Sequence, residues 1–349
     1  MHHAGWMALA AMSAALAMGD VRADDEPALT QLETVVVSGI QPGPGLWQVK
    51  RDGHRMWVLG TLTPLPKRMQ WESLEVEERI AQSQEVIYPP TAELTVKGGI
   101  IGGLFLLPSL LKARDNPDKQ ALKDVVPAED YARWTVLKRK YLPRNRDVEK
   151  RRPIFASGAL FEKAIDKAGL SFDDRVLPVV KKAARRSKVA VTRPSIEIRI
   201  EKARAALKDF RSEQLDDVAC FRLTVERLEG DVTAMRGWAN AWATGDVEAL
   251  RDLPYQDQIR ACVDAVLRSE LAKDRGFADL RQRVEQVWLE AAEKAIAKNE
   301  TSFAILPMSQ VMRDDGILAR LAAKGYEIVP PKPRVEADAE EAAAVESER

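Results

Sequence analysis

Residues 45–60, GLWQVKRDGHRMWVLG, contain two short apolar runs separated by a turn. The runs Leu46–Val49 and Met56–Leu59 contain the aliphatic and aromatic residues that favour β-strands. Asp52-Gly53 lies between them, and this dipeptide tolerates the positive φ angles of a tight turn. The stretch therefore predicts a β-hairpin at the start of the folded domain.

The chain after the hairpin alternates between helix and strand patterns. Residues 60–66 are rich in Thr and Pro and are predicted to leave the sheet as a loop. A helix is predicted for residues 72–82, and Glu85–Tyr88 has the pattern of a short buried strand that stops at Pro89. A strand, loop, helix and second strand in this order indicate a βαβ unit of an α/β sheet.

The last part of the chain returns to the same alternation. A long helix is predicted before Ser302–Leu306, which is a buried-strand pattern. A helix over Asp315–Lys324 ends at Gly325, a favourable C-cap, and a final strand follows at Tyr326–Val329. We therefore predict an α/β fold whose central sheet is formed from the N- and C-terminal segments, with a large, mostly helical insertion.

The predicted insertion covers about residues 115–275 of a domain that spans residues 45–331. Its amphipathic segments are separated by Pro or Gly, and one strand-like break occurs at Lys188–Thr192. The predicted helices are Ala128–Tyr141, Pro153–Ala168, Asp173–Arg186, Ser195–Phe210, Glu213–Leu228 and Asp231–Ala243.

Both chain ends lie outside this predicted domain. The apolar run Ala8–Met18 is too short to span a bilayer but is typical of a signal-peptide core, so residues 1–23 are predicted to be a signal peptide. The mature chain would then be periplasmic and start near Asp24. No Lys or Arg precedes the run, which leaves open a cytoplasmic protein with an apolar start. Residues 24–44 are predicted to be a flexible tether and residues 332–349 a disordered acidic tail.

The charge of the chain is balanced overall and uneven locally. The 53 Lys and Arg equal the 53 Asp and Glu, so global charge indicates no nucleic-acid or membrane partner. Residues Lys138–Arg211 have a large excess of basic over acidic residues. These form either solvated helix faces or a surface that meets an anionic envelope polymer or phospholipid headgroups. The lack of interleaved aromatic residues argues against single-stranded nucleic acid.

A second apolar stretch, GGIIGGLFLLPSLL at residues 98–111, lies between Lys97 and Lys112. It is short for a membrane span, so no transmembrane span is predicted for the mature chain. The alternatives are a buried segment of the core, an apolar lid, and an element that dips into a membrane.

Few residues are suited to catalysis or metal binding. The three histidines are His2, His3 and His54, so removal of the leader would exclude any site that needs two imidazoles. His54 follows the hairpin turn and is expected to be solvated. The chain lacks a Gly-x-Ser-x-Gly motif and a phosphate-binding Gly loop. Acidic residues near the two strand-end loops could act as acid–base pairs or only as solvated and capping groups; they are Glu72, Glu75, Glu85, Asp314 and Asp315.

Two stretches of the chain resemble a known family. The hairpin with its loop, residues 45–71, and the stretch SFAILPMSQVMRDDGILARLAAKGYEIVPP, residues 302–331, are similar to the two ends of TraB/GumN family proteins. The family is related to the Tiki metalloproteases and to the erythromycin-esterase and ChaN-like α/β fold. The resemblance therefore implies an α/β fold and an ancestral metal-dependent hydrolase.

The resemblance also implies where the active site would be, and this chain departs from the family pattern there. The first Gly-x-x-His motif aligns with Gly60 to Thr63, and the second aligns with Pro307 to Gln310. An acidic position of the family falls near Pro89. Neutral Thr and Gln side chains replace imidazole nitrogen poorly as metal ligands. We therefore expect a non-catalytic binding member without metal or other cofactor.

Two alternatives to this expectation remain. One is an active hydrolase whose substitute site combines Thr63, Gln310 and carboxylates around an oxygen-preferring ion. The other is an interaction module of the cell envelope that uses the basic residues Lys138–Arg211.

The chain has two cysteines, Cys220 and Cys262, both on predicted helices. In an oxidising compartment an isolated pair is expected to form a disulfide; the alternative is two buried free thiols. Trp238 and Trp242, four residues apart on an intervening helix, are expected to pack against both cysteines.

Overall fold

The computed structural model describes residues 40–332, except positions 98, 214, 231 and 252–256. The predicted signal peptide, most of the tether and most of the acidic tail lie outside these residues. The strands in chain order are β1 Ile40–Gln41, β2 Leu46–Arg51, β3 His54–Thr61, β4 Leu65–Pro66, β5 Gln70–Trp71, β6 Glu85–Ile87, β7 Thr91–Val96, β8 Leu170–Ser171, β9 Ala190–Thr192, β10 Ser195–Ile200, β11 Thr301–Pro307 and β12 Glu327–Val329.

Helices occupy most of the remaining described chain. They are α1 Leu74–Ala81, α2 Gly99–Lys112, α3 Leu122–Val125, α4 Ala128–Tyr141, α5 Pro153–Lys167, α6 Leu177–Arg186, α7 Ala203–Ser212, α8 Val218–Glu229, α9 Thr233–Thr244, α10 Val247–Arg251, α11 Asp257–Leu267, α12 Glu270–Asp274, α13 Leu280–Lys298, α14 Met308–Met312 and α15 Ile317–Ala323. Two short 3₁₀ turns lie at Pro117–Lys119 and Asp147–Lys150. No described helix is both long and apolar enough to cross a bilayer.

A six-stranded mixed sheet with strand order β12-β2-β3-β11-β6-β9 forms the centre of the molecule. Strands β3, β11, β6 and β9 are parallel to one another. Strand β2 is antiparallel to both of its neighbours, β3 and β12, so the edge strand β12 runs in the same direction as β3. The chain ends thus supply neighbouring strands, and β9 from the middle of the chain forms the other edge. The predicted α/β class with a sheet built from both chain ends is confirmed.

The N-terminal hairpin is confirmed. Leu46–Arg51 pairs antiparallel with His54–Leu59, and the turn residues Asp52 and Gly53 have φ angles of 51° and 83°. Both angles lie in the left-handed region, which a tight hairpin turn requires and which Gly adopts without a steric penalty. The hairpin fixes the register that buries Val49, Met56, Val58 and Leu59.

Strand β11 lies between β3 and β6 and completes the core. Its central residues Phe303, Ala304 and Ile305 are fully buried. A strand that is covered on both faces has apolar residues at consecutive positions, and Ser302–Leu306 shows this pattern in the sequence. Helix α13 packs on β3, β6 and β11, and the two residues between α13 and β11 make them antiparallel neighbours.

A second apolar cluster lies within the helical part of the chain. It is formed mainly by α3, α4, α5 and α8, with Trp134, Leu160 and Phe221 fully buried at its centre. The sulfur atoms of Cys220 on α8 and Cys262 on α11 are bonded, with their Cα atoms 4.6 Å apart. The predicted cysteine pair is thus confirmed at bonding distance.

The two tryptophans of α9 pack in the core of the sheet. Trp238 and Trp242 both belong to this apolar cluster, and the guanidinium of Arg227 on α8 lies 4.7 Å from the centre of the Trp238 ring. Trp242 is fully buried and donates its indole N–H to the carbonyl of Gly60 at 2.8 Å. Helix α9 is therefore oriented by the sheet.

The predicted helix over Ser195–Phe210 is wrong in its first half. Residues Ser195–Ile200 form strand β10, which pairs in parallel with β7 from Ser195–Thr91 to Ile200–Val96. Helix α7 begins only at Ala203. The two-residue spacing of Ile196, Ile198 and Ile200 suits a strand, and Ile198 is buried.

From residue 99 onward the apolar stretch lies in helix α2, which packs against β7 and α7. Leu106 is buried, but Leu107, Leu110 and Leu111 are 46–53% exposed. The interpretation as a buried core segment is therefore wrong for these three leucines.

Candidate functional site

The carboxyl ends of β3, β11, β6 and β9 meet at one end of the sheet because these strands are parallel. Ligands of open α/β sheets usually bind in the crevice outside these ends. The loop after β3 contains Thr63, the short helix α14 that directly follows β11 contains Gln310, and the loop after β6 contains Pro89. This strand end is the candidate site.

Apolar side chains cover the end of β3. A Cβ atom on Gly60 would lie 2.5 Å from Cε of Met308, so the methionine occupies the space that a larger residue would need. The carbonyl of Gly60 accepts the hydrogen bond from Trp242, whose ring packs edge-on against Trp71 at 5.9 Å. Gly60 thus permits close packing, while the side chain of Thr63 is exposed.

A second buried tryptophan contacts the backbone just after the end of β6. Trp288 of α13 is fully buried and donates its indole N–H to the carbonyl of Tyr88 at 3.1 Å. The guanidinium of Arg193 lies 5.1 Å from the centre of the Tyr88 ring. Burial raises the pKa of the Tyr88 phenol, and the positive charges of Arg193 and Arg185 oppose this rise. The phenol therefore stays protonated at neutral pH, and Pro89 beside it has no ligand atom on its side chain.

Gln310 is the centre of a polar group that we call the strand-end cluster: Gln310, Glu285, Gln286 and Arg320. The Gln310 amide donates from Nε2 to Glu285 Oε1 at 3.0 Å. The other carboxylate oxygen of Glu285 pairs with Arg320 Nη1 at 3.3 Å, and Arg320 Nη2 donates to Gln286 Oε1 at 3.0 Å. The Oε1 atom of Gln310 is buried and has no partner among the described residues.

Backbone geometry holds the loop after β11 close to the cluster. Pro307 is the last residue of β11 and pairs with Thr61, and α14 starts at Met308. A Cβ atom on Gly316 would lie 2.6 Å from the carbonyl oxygen of Gln310. A residue larger than Gly at 316 would therefore displace the segment that presents Gln310.

The acidic residues named from the sequence have local partners away from Gln310. Glu72 accepts from the Leu74 amide at the start of α1, and Glu75 pairs with Arg79 one turn later. Glu85 accepts from Asn299 at 2.9 Å and from Thr192, and Asp315 pairs with Arg313. The helix after Asp314 and Asp315 has Gly316 as its N-cap, so the expected capping role is wrong.

His54 lies at the start of β3, which is the opposite end of the sheet from the candidate site. Its Nδ1 atom donates to the carbonyl of Asn299 at 2.7 Å. The imidazole therefore joins the hairpin to the segment before β11, and it is half-buried where the sequence suggested solvation.

The residues at the strand end do not fit a divalent metal. In the part of the chain that the structure describes, no group of three His, Cys, Asp or Glu side chains is placed to hold a metal ion. Glu285 is the carboxylate in contact with Gln310, and its charge is already shared with the guanidinium of Arg320. A cation placed there would compete with Arg320 for the same oxygens.

A shallow groove lies beside the strand-end cluster. Its apolar floor contains Ile196 of β10 and Val287 of α13, and its polar rim contains Gln282, Arg283, Gln286 and Arg320. The lining residues of the groove are brought together by two features of the fold. Ile196 lies on strand β10, and the first turns of α13 lie near the carboxyl end of β11. Sequence reasoning missed Glu285 and this groove, because their residues are far from Gln310 along the chain.

Comparison with known proteins identifies one family over most of the chain. The model of the TraB/PrgY/gumN family matches residues 45–330, which includes the hairpin, the helical middle and the last strand. Comparisons with curated proteins and with solved structures give no match. Because the match covers every strand of the central sheet and both loops of the candidate site, the chain belongs to the TraB/PrgY/gumN family.

Proposed function

We propose that this chain is an exported, non-catalytic member of its family that binds a ligand at the strand end without hydrolysing it. The observation that supports this function is the hydrogen-bonded pair of Gln310 and Glu285, with Glu285 neutralised by Arg320. Both oxygens of this carboxylate already accept hydrogen bonds from protein side chains, whereas a general base must be in contact with the proton that it abstracts.

The neighbouring positions support the same proposal. Thr63 has an exposed hydroxyl, and Pro89 and Pro307 have no side-chain donor or acceptor. A hydrolytic site needs a nucleophile or activated water, a base and a group that stabilises developing charge. The guanidinium and amide groups around the groove are instead suited to binding, since they offer donors beside an apolar floor.

The test is to purify the chain from Asp24 without chelators and to measure its metal content and its peptidase and esterase activity. We expect less than one metal ion per chain and no turnover that EDTA abolishes. Stoichiometric zinc, manganese or cobalt together with chelator-sensitive hydrolysis would refute the proposal.

A pair of variants separates real turnover from contamination. Glu285→Gln removes the carboxylate of the strand-end cluster, and Glu293→Gln is its control on the same helix, where Glu293 pairs with Lys324 outside the cluster. Any hydrolysis that falls with Glu285→Gln and not with Glu293→Gln belongs to the strand end and counts against the proposal.

A second candidate function, an interaction module of the cell envelope, is favoured by the outer face of α6. Lys181, Lys182 and Arg185 are exposed and form no ion pair with described residues, whereas Arg186 pairs with Glu77 at 2.5 Å. Exposed cations without ion-pair partners on one helix are suited to bind an anionic polymer.

The test is binding to heparin, used as a polyanion. Binding should weaken steeply with salt and in the variant Lys181→Gln/Lys182→Gln, but not in the control variant Lys294→Gln/Lys298→Gln on α13. Salt-independent binding would contradict this function.

A further inference from the structure

The exposed apolar face of α2 is the feature of this molecule that its fold does not use. Leu110 and Leu111 follow Leu107 by three and four residues, so the three side chains lie on one face of the helix. They are 48%, 46% and 53% exposed. Leu106 and Ala113, seven residues apart, are buried along the stripe next to this face, and Leu106 lies beside the start of α7. The helix thus packs on the protein along one stripe and presents three leucines to solvent beside it.

The charged residues of α2 and its immediate flanks have one sign, and Glu201, just before α7, lies near Lys97 on the side of α2 that packs on the protein. Lys97 precedes α2, Lys112 is its last residue and Arg114 follows it. No acidic residue occurs between Glu93 and Asp115 in the sequence. Lys97 and Lys112 are exposed, so both ends of the apolar face have a cation in contact with solvent.

The length of α2 limits what this face can contact. Its 14 residues extend about 21 Å, whereas the hydrocarbon core of a bilayer is about 30 Å thick. The helix cannot span a bilayer, but it can lie in the interface with its leucines at the boundary of headgroups and acyl chains. Lysines at both ends are placed to meet anionic headgroups at the same depth.

We propose that α2 is a membrane-surface element that binds the chain to anionic lipid bilayers through Leu107, Leu110 and Leu111. Charge complementarity favours lipid over a second copy of this chain. A symmetric contact through α2 would bring the cations of two copies together with no acidic residue in the element to offset them. This inference is independent of the function proposed for the strand end.

The test is vesicle co-sedimentation of the chain from Asp24 to Arg349, so that the apolar run Ala8–Met18 cannot contribute. Vesicles of phosphatidylcholine alone are compared with vesicles containing phosphatidylglycerol. We expect binding to the anionic vesicles and about tenfold or greater loss of affinity in Leu107→Ser/Leu110→Ser/Leu111→Ser. The matched control is Leu74→Ser/Val136→Ser, which removes leucine and valine side chains that are 59% and 64% exposed elsewhere.

A second pair of variants tests the charges. Lys97→Gln/Lys112→Gln should weaken binding to anionic vesicles and reduce its dependence on salt, because exposed charges are screened beyond about 8 Å at physiological ionic strength. Lys294→Gln/Lys298→Gln on α13 is the control and should bind like the parent. Circular dichroism checks that every variant keeps the parent's helical content.

Three results would overturn the proposal. They are no binding of the parent chain to either vesicle, equal binding of the leucine variant and the parent, and sedimentation of the parent as a dimer that the leucine variant abolishes without any vesicle binding. The last result would assign the face to a second copy of the chain.

Discussion

Asp217 is a buried carboxyl group that connects two helices of the second apolar cluster. It is 2% exposed, and its Oδ2 accepts from the backbone amide of Ile154 at the start of α5 at 2.8 Å. Arg152, also 2% exposed, donates to the carbonyls of Phe210 and Arg211 at 2.5 and 3.2 Å. Burial raises the pKa of Asp217 to about 6 and lowers that of Arg152. Each charge is therefore costly to keep in the folded state.

Asp217→Asn should remove part of the pH dependence of stability. The pKa of Asp217 is raised to about 6 from 3.8, so the folded state holds its proton more tightly than the unfolded state. The stability that this group contributes is complete below pH 3.8 and is lost as pH rises to about 6. The shift corresponds to a loss of about 3 kcal/mol at most. Urea unfolding of parent and variant between pH 4 and 7 measures this slope.

Asp118→Asn is the control for that experiment, because Asp118 is exposed and lies on a separate 3₁₀ turn, whereas the charge of Asp216 helps to raise the pKa of Asp217. It should keep the pH slope of the parent, whereas Asp217→Asn should flatten the slope and retain the acceptor for the Ile154 amide. An unchanged slope in Asp217→Asn would show that Asp217 does not titrate in this range.

At the residue scale, the sequence predicted where in the fold the candidate site lies, but not all of the residues that form it. The apolar runs of β3 and β11 are recognisable in the sequence, so the segments after them, with Thr63 and Gln310, could be assigned to strand ends. Glu285 could not be found in this way, since it lies 25 residues before Gln310. Their contact depends on α13 folding back along β11, which no local pattern reveals.

At the scale of elements, strong local patterns predicted correctly and mixed patterns did not. The hairpin combines apolar runs with a turn dipeptide, and both signals agree. Ser195–Ile200 combines an alternating pattern of Ile with charged residues that are also common in helices. Its conformation is decided by pairing with β7, a partner about 100 residues earlier in the chain.

The disulfide between α8 and α11 should contribute strongly to stability. It closes a loop with a sequence separation of 42 residues, and loop entropy predicts a contribution of about 4 kcal/mol. Cys220→Ala/Cys262→Ala should therefore lower the midpoint of thermal unfolding, and the parent should match the variant after reduction. If reduction left the parent's midpoint unchanged, the bond would not stabilise the fold.

At the scale of the whole molecule, long-range pairing builds the sheet. Strand β11 pairs with β3 from Thr301–Arg55 to Pro307–Thr61, across most of the chain, and β12 pairs with β2. The helical middle therefore connects, along the chain, two sets of strands that pair in one sheet. This explains why the apolar strand patterns at the two chain ends were sufficient to predict the fold class, while the packing of the helices between them was not.

The cysteine pair and the predicted leader together make a prediction about the whole chain. A disulfide is stable in an oxidising compartment and rare in the cytosol, so a Cys220–Cys262 bond in the native protein would agree with export. We expect protein isolated from its native cells under non-reducing conditions to begin near Asp24 and to gain the mass of two hydrogens on reduction. Intact-mass spectrometry with thiol alkylation before and after reduction measures both properties at once. A chain that still starts at Met1 would contradict removal of the leader. Two thiols that alkylate without reduction would contradict the bond and count against export, and with it against the proposal of a periplasmic binding protein.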